Sequence, residues 1–279
     1  QQSYWEAIVS NRSNAISLQS DGTVGRSLFE KMATLNINYR INEERQHRCP
    51  VCWYCNVRCV CDLMPPNIVR EDLPNVKILL LMHHKEYLNA GNSAKNLLAL
   101  LPEQNIELYL YGKEGDFDSC LDEMMIDQGR RTAILWPCEK AISVEEFISG
   151  CLPIQSKNPK MMESGRSDYD EVTDNKLRIV ALDGTYKNAK NMHKTIRRRL
   201  NEDDQTMPAC IALHPKSVSQ FHRAIKNYGK ANERLDERAL RVSTAEACAL
   251  LMMELGAEES VQEKIIKALL VNNCNRGVI

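Results

Sequence analysis

Residues 178–186, Arg-Ile-Val-Ala-Leu-Asp-Gly-Thr-Tyr, pass from a short, mainly apolar run directly into a polar turn. Such a run is typical of a strand that is buried on both faces of a sheet. Other runs share this character, and we predict five buried strands, at residues 76–82, 106–111, 133–136, 178–182 and 209–213.

Segments with a helical pattern lie between and after these runs, and the pattern is clearest in the last two, where apolar residues recur every three or four positions. The alternation of strands and helices indicates an α/β fold in which a mostly parallel sheet carries helices on both faces. The predicted helices are at residues 93–101, 119–128, 144–151, 186–200, 218–228, 244–255 and 260–272.

The composition divides the chain into three parts. Residues 1–47 are polar with weak helical periodicity, and we expect a helical or loose extension there. Residues 48–66 form a cysteine-rich segment, called the cysteine module below, and the α/β domain follows over residues 67–279. The polar stretch near residues 155–176 has no apolar period, which predicts a surface insertion.

The cysteine module holds five of the eleven cysteines. Cys49 with Cys52, and Cys59 with Cys61, form two closely spaced pairs, and four thiolates around one ion are the preference of structural zinc. A set that uses Cys55 with Cys52, Cys59 and Cys61 fits the spacing as well, and an iron–sulfur cluster is an alternative to zinc. The role would be structural, because four protein ligands leave no position open for chemistry.

The chain has a net charge of −1, but its basic residues are concentrated in one region. Residues 176–241 contain 15 Lys or Arg against 7 Asp or Glu. A solvated helix face is the usual explanation for such a run, whereas phosphate neutralisation would give each positive group a use. We predict nucleic-acid contact through Lys187, Lys190, Lys194, Arg197, Arg198 and Arg223.

Compartment and membrane association follow from composition. The longest apolar run, at residues 76–82, is far shorter than the roughly 20 residues of a membrane-spanning helix, so we expect no membrane segment. The odd cysteine total favours a reducing compartment over a disulfide scaffold. We therefore expect an intracellular protein, either cytoplasmic or nuclear.

Polar residues follow the predicted strands, and ligands of open α/β sheets bind beyond the carboxyl ends of the strands. Asp183 either contacts such a ligand or caps the next helix. Gly184 is suited to a positive φ or to a ligand close to the backbone. A structural role is the default for His83. Residues 243–246, Ser-Thr-Ala-Glu, have the spacing of a capping box, although the free amides of a helix start also suit a carboxylate.

Taken in order, these segments resemble the DTW-domain family. Asp183, Thr185 and Tyr186, around an inserted glycine, look like the tripeptide that names the family. The spacing of the cysteines matches the family pattern at positions 49, 52, 59 and 61, which leaves Cys55 as an extra thiol.

Four further blocks carry the resemblance. Residues 83–86 are similar to the family's His-Pro-x-Glu, with His84 in place of proline, and residues 91–93 are similar to its Thr-Asn-Thr. Residues 135–141 and 241–247 complete the set.

The resemblance implies a SPOUT-like fold with a C-terminal knot that binds S-adenosylmethionine. It implies transfer of the 3-amino-3-carboxypropyl group to N3 of a uridine in transfer RNA, with release of methylthioadenosine. Asp183, assisted by His83 and Glu86, would be catalytic. A homodimer is one expected state, because many SPOUT proteins are dimeric. The cofactor is expected at Leu135, Trp136, Pro137, Leu182, Gly184, Thr185, Arg241, Val242, Ser243 and Thr244.

Two other functions fit the same sequence. A SPOUT-type RNA methyltransferase would share the fold, the cofactor and the basic face, and only its product would differ. A non-enzymatic, zinc-containing RNA-binding protein would have no affinity for S-adenosylmethionine.

Overall fold

The computed structural model describes residues 22–113, 115–151, 176–202, 207–214 and 242–274. A five-stranded parallel sheet forms its centre, with the strand order β2-β1-β4-β3-β5. The strands are β1 Val76–His83, β2 Ile106–Tyr111, β3 Thr132–Leu135, β4 Leu177–Asp183 and β5 Ala209–Ile211.

The five strands lie where the apolar runs predict them, and their parallel pairing is confirmed. The last strand ends two residues before its predicted end at residue 213. The reason is a change of partner, because the backbone N–H of Ala212 donates to the carbonyl of Ile142 and no longer to β3.

Helices connect and cover the strands. The predicted helix at residues 218–228 and nearly all of the polar stretch at 155–176 lie outside the described residues. The division of the chain into three parts stays a prediction. The helices are α1 Gly22–Tyr39, α2 Lys95–Leu100, α3 Asp116–Met124, α4 Val144–Cys151, α5 Tyr186–Glu202, α6 Thr244–Glu254 and α7 Glu259–Cys274.

Successive strand residues point to opposite faces of the sheet and pack against different helices. Leu80 and Ile179 belong to one apolar cluster, which also contains residues of α2, α4, α6 and α7. Leu79 and Val180 belong to the other, which contains residues of α3 and α5. The sheet is therefore covered on both faces, as an α/β fold requires. No helix in the described part of the chain is both long and apolar enough to cross a bilayer.

Helix α1 packs at the carboxyl end of β1 and β2. The ring of Phe29 lies 5.4 Å from that of Tyr111 and 5.6 Å from that of His84, measured between centroids. Gly112 follows β2 with φ of +100°, and a Cβ added there would lie 2.6 Å from the Cβ of Ala33. The close approach of α1 to the sheet thus requires a glycine at position 112.

Gly112→Ala tests this packing. The change adds backbone strain of about 1 kcal/mol and a clash of about 1–3 kcal/mol, so we expect a lower free energy of unfolding in urea titration. Gly115→Ala is the matched control, because Gly115 also has a positive φ, +79°, but has nothing within 4 Å of an added Cβ. Equal losses in the two variants would contradict the docking of α1.

Candidate functional site

The carboxyl ends of β1 and β4 place His83 and Asp183 at one edge of the sheet, where Asn92 contacts Asp183. Met82 is opposite Asp183 in the parallel register, so His83 lies one residue beyond the level of Asp183 on the neighbouring strand. The side-chain amide of Asn92 donates from Nδ2 to Oδ2 of Asp183 at 2.5 Å. All three side chains are buried: Asp183 is 3% exposed, and His83 and Asn92 are each 6% exposed. We call the carboxyl ends of β1, β3 and β4, with the turns that follow them, the carboxyl edge.

His83 and the adjacent His84 are held neutral at physiological pH. Burial, with the nearby charge of Lys85, lowers the pKa of His83 to about 4, and burial with the neighbouring His83 and Lys85 lowers the pKa of His84 to about 3. The backbone N–H of Lys85 donates to Nδ1 of His83 at 3.3 Å. The proton of the neutral His83 ring therefore lies on Nε2, which makes His83 a hydrogen-bond donor and not a base.

The side chain of Glu86 points to a different partner. Its Oε2 accepts a hydrogen bond from Nδ2 of Asn89 at 3.2 Å, within the exposed part of the turn. Its backbone N–H donates to the carbonyl of His83 at 2.8 Å. Glu86 thus shapes the turn that carries His83, and its carboxylate is joined to Asn89.

Asp183 and Thr185 have separate tasks in the turn after β4. Thr185 Oγ1 accepts from the backbone N–H of Asn188 at 3.3 Å, so the threonine caps the first turn of α5. Oδ2 of Asp183 accepts a hydrogen bond from Asn92, and a cap by Asp183 itself stays a prediction. Gly184 does not adopt a positive φ, and an added Cβ would lie 3.2 Å from the Cβ of Asn188. The glycine therefore permits close packing of this turn.

Stacked rings connect the turn after β3 with the start of α5. The Trp136 ring lies 5.8 Å from that of Tyr186 at 18°, and 5.2 Å from that of His193 at 19°. Leu135 packs on the opposite side of the sheet, and Pro137 is exposed. The turns that contain Trp136 and Thr185 are thus neighbours on the carboxyl edge.

The start of α6 is the third predicted cofactor segment. Ser243 Oγ accepts from the backbone N–H of Glu246 at 3.3 Å, so the predicted cap is confirmed. Cys248, in the same helix, is buried, and burial together with the charge of Asp183 raises its pKa to about 12. Helix α6 therefore passes close to Asp183. Val242 and Thr244 flank Ser243, whereas Arg241 lies outside the described residues.

The cysteine module brings four thiols to one point. The sulfurs of Cys49, Cys52, Cys59 and Cys61 all lie within 4.8 Å of one another. Cys49 and Cys61 are 3.4 Å apart, and Cys52 and Cys59 are 3.8 Å apart. A tetrahedral zinc site with Zn–S bonds of about 2.3 Å has sulfurs about 3.8 Å apart, so these four thiols can hold a zinc ion. Cys55 is exposed, and its sulfur is not among the four that converge.

The fold of this segment prepares the thiols for a metal. Trp53 adopts a positive φ of 58°, and its N–H donates to the carbonyl of Cys49 at 2.9 Å, which reverses the chain after Cys52. Burial raises the pKa of Cys49, but hydrogen bonds from the backbone N–H groups of Cys52 and Val51 outweigh this effect, so that the pKa is about 7. Burial and the neighbouring thiols raise the pKa of Cys61, so the thiolate is favoured at Cys49 and not equally at all four positions. A thiolate is the form that binds metal.

Helix α5 presents its basic residues to solvent. Ala189, Met192, Ile196 and Leu200 are buried against the sheet. Arg199 is joined to Asp118 at 2.9 Å and is not part of the exposed face. Arg223 lies outside the described residues. The basic side chains exposed on α5, called the basic face below, are Lys187, Lys190, Lys194, Arg197 and Arg198.

Cys59→Ser tests the metal site. We expect purified protein to contain zinc, and loss of one thiolate to weaken zinc affinity by more than about 100-fold and to lower the melting temperature. Metal analysis by mass spectrometry and thermal unfolding measure the two effects. Cys55→Ser is the matched control and should retain zinc. Equal metal loss in both variants would show that the ligand set is different.

The family of the chain was established by comparison with known proteins. The model of the DTW domain matches residues 46–274, from two residues before the cysteine module to the end of α7. The carboxyl edge and the four thiols both lie within the match, and α1 precedes it. Neither the curated proteins nor the solved structures gave a match. The chain therefore belongs to the DTW-domain family.

Proposed function

We propose that this protein transfers the 3-amino-3-carboxypropyl group of S-adenosylmethionine to N3 of a uridine in transfer RNA and releases methylthioadenosine. Membership of the DTW-domain family is consistent with a function in transfer RNA modification. The observation that carries the proposal is the contact of Asn92 with Asp183, because it joins two family blocks in one place on the carboxyl edge.

Asp183 is suited to handle the proton of the uridine. In the transfer the N3–C bond forms, the C–S bond of the donor breaks, and the N3 proton must leave. A carboxylate accepts hydrogen bonds and protons, so Asp183 can take this proton or hold the base edge. Asn92 donates to one carboxylate oxygen, which orients Asp183 without neutralising its charge.

His83 complements the carboxylate. A neutral ring with its proton on Nε2 can donate to a carbonyl oxygen, and a uracil carries one on each side of N3. His83 would thus hold the base while Asp183 accepts its proton. Its location at the turn that follows Asp183 supports this role, since the Cβ of His83 lies 3.4 Å from a Cβ built at Gly184.

The donor is assigned to the turns beside this pair. The sulfonium makes each attached carbon electrophilic, so the turns of Leu135–Pro137 and Leu182–Thr185 and the start of α6 would select the reacting carbon by aligning it. Trp136 provides a stacked ring at this edge. The SPOUT-like knot is part of the proposal, and the connection from β5 to α6 that would form it lies mostly outside the described residues.

The basic face of α5 is assigned to the RNA backbone. Helix α5 begins directly after the Asp183 turn, so phosphates bound along it would place a nucleotide near the carboxyl edge. An unpaired loop uridine costs least to present, because no stacked pair must be opened.

Asp183→Asn tests the chemistry. Incubation with transfer RNA and donor labelled in its carboxypropyl portion, followed by nucleoside mass analysis, should show a rate at least about 100-fold lower, because the amide cannot accept the proton. RNA affinity should be unchanged. A wild type that forms only S-adenosylhomocysteine would instead be a methyltransferase, and label absent from a competent RNA would refute the transfer.

Lys190→Ala tests the basic face. We expect weaker binding of transfer RNA and a reduction of about 1 in the slope of log K against log salt, as for a lost phosphate contact. Lys267→Ala is the matched control, because Lys267 is an exposed lysine of α7 on the other face of the sheet. Binding titrations at several salt concentrations measure both. An unchanged slope for Lys190→Ala would place the RNA elsewhere.

A further inference from the structure

Lys95 is a charged residue in an unusual place. Its side chain is 1% exposed, although burial of an ammonium is costly unless its donors are satisfied. Its Nζ donates to the carbonyl of Cys52 and, at 2.6 Å, to the carbonyl of Ala90. It also lies 4.2 Å from the centre of the Tyr54 ring, a favourable position for a cation. These contacts join the loop before α2 to the cysteine module.

Lys95 is joined to Asp183 through Asn92. The backbone N–H of Lys95 donates to Oδ1 of Asn92 at 3.1 Å. With its oxygen held in this way, the Asn92 amide presents its NH₂ group, which donates to Oδ2 of Asp183. Lys95 thus fixes the loop through its side chain, and it fixes the orientation of Asn92 through its backbone N–H.

The cysteine module provides a firm support for this arrangement. Cys52 supplies both a thiol of the metal site and the carbonyl that Lys95 contacts, so a metal that fixes the thiol also fixes the carbonyl. Four thiolates outweigh the charge of a zinc ion, and the resulting negative charge favours a buried ammonium nearby. Tyr54, under the ammonium, is itself held by a hydrogen bond from its hydroxyl to the carbonyl of Asn272 at 2.6 Å.

We propose that Lys95 is a positioning residue for Asp183, which acts by clamping the loop at residues 89–92 onto the cysteine module so that Asn92 holds the Asp183 carboxylate. Its kinetic consequence rests on the proposed transfer reaction, whereas the clamp itself does not. Because Lys95 is 1% exposed, it acts through Asn92 and not by contact with substrate. The cysteine module thereby acts on the carboxyl edge as well as on its own stability.

Lys95→Met is the test, because methionine keeps an unbranched apolar stem and removes the ammonium. We expect kcat to fall about 100-fold through displacement of Asp183, with KM for both substrates unchanged. Lys77→Met is the matched control. Lys77 is also largely buried, and it forms ion pairs with Glu107 at 2.7 Å and Glu123 at 2.9 Å that the substitution removes. It lies at the amino end of β1, away from the carboxyl edge. Its kcat should be that of the wild type.

Hydrogen exchange measured by mass spectrometry tests the clamp independently of activity. The amides of residues 89–96 should exchange faster in Lys95→Met and not in Lys77→Met, with the zinc content of both unchanged. Combined with Asn92→Ala, Lys95→Met should cause no further loss of kcat, because the two residues act in series. Lys95→Gln, which is neutral but keeps an amide donor, replaces Lys95→Met if the latter does not fold.

Each outcome decides between the clamp and a general structural role. Unchanged exchange at residues 89–96, loss of zinc from Lys95→Met, or additive losses in the double variant would overturn the positioning role. A wild type without transfer activity would refute the proposed function, and the exchange data would still decide on the clamp.

Discussion

The parallel pairing of β1 with β4 is the constraint on which the carboxyl edge depends. These strands are far apart in sequence, and their register places Met82 opposite Asp183. Since side chains alternate between the faces of a sheet, a slip of one residue would turn Asp183 to the other face. The apolar residues that each strand buries on both faces fix this register, so the packing of the core also determines the position of the carboxylate.

Beside that pair of strands, the buried carboxylate of Asp183 has a neutral partner and the buried His83 is itself neutral. Asn92 supplies an amide to Asp183, and burial keeps His83 uncharged. An amide donor orients a carboxylate without donating a proton to it, and electrostatic interactions are strong in a site of low dielectric. The exposed positive charge of α5 lies on its solvent side, where it suits a polyanion. This arrangement supports the proposal of an enzyme that binds RNA by its backbone and acts on one base.

The sequence alone was sufficient to predict the secondary-structure elements, but it was not sufficient to predict the contacts between them. Apolar runs locate all five strands because burial on both faces leaves a local signal, but no local signal gives the order that places β4 between β1 and β3. Spacing alone left Cys55 open as a ligand, and the convergence of the other four sulfurs in the fold decides the set. Asn92 was absent from the predicted site, although it is the residue in the block at 91–93 that matches the family pattern. The role of Asn92 depends on its contact with Asp183, which is 91 positions away in the sequence, and periodicity cannot reveal such a contact.

Helix α1 has a consequence for where this domain ends. The family match begins at residue 46, yet Phe29 packs its ring against His84 and Tyr111 inside the matched region. A polypeptide cut at the family boundary would leave these rings in contact with water. Water would then reach His84, whose burial keeps it uncharged. The apolar surface that α1 covers would be exposed and could self-associate. The functional folding unit of this protein is therefore larger than the domain that defines its family.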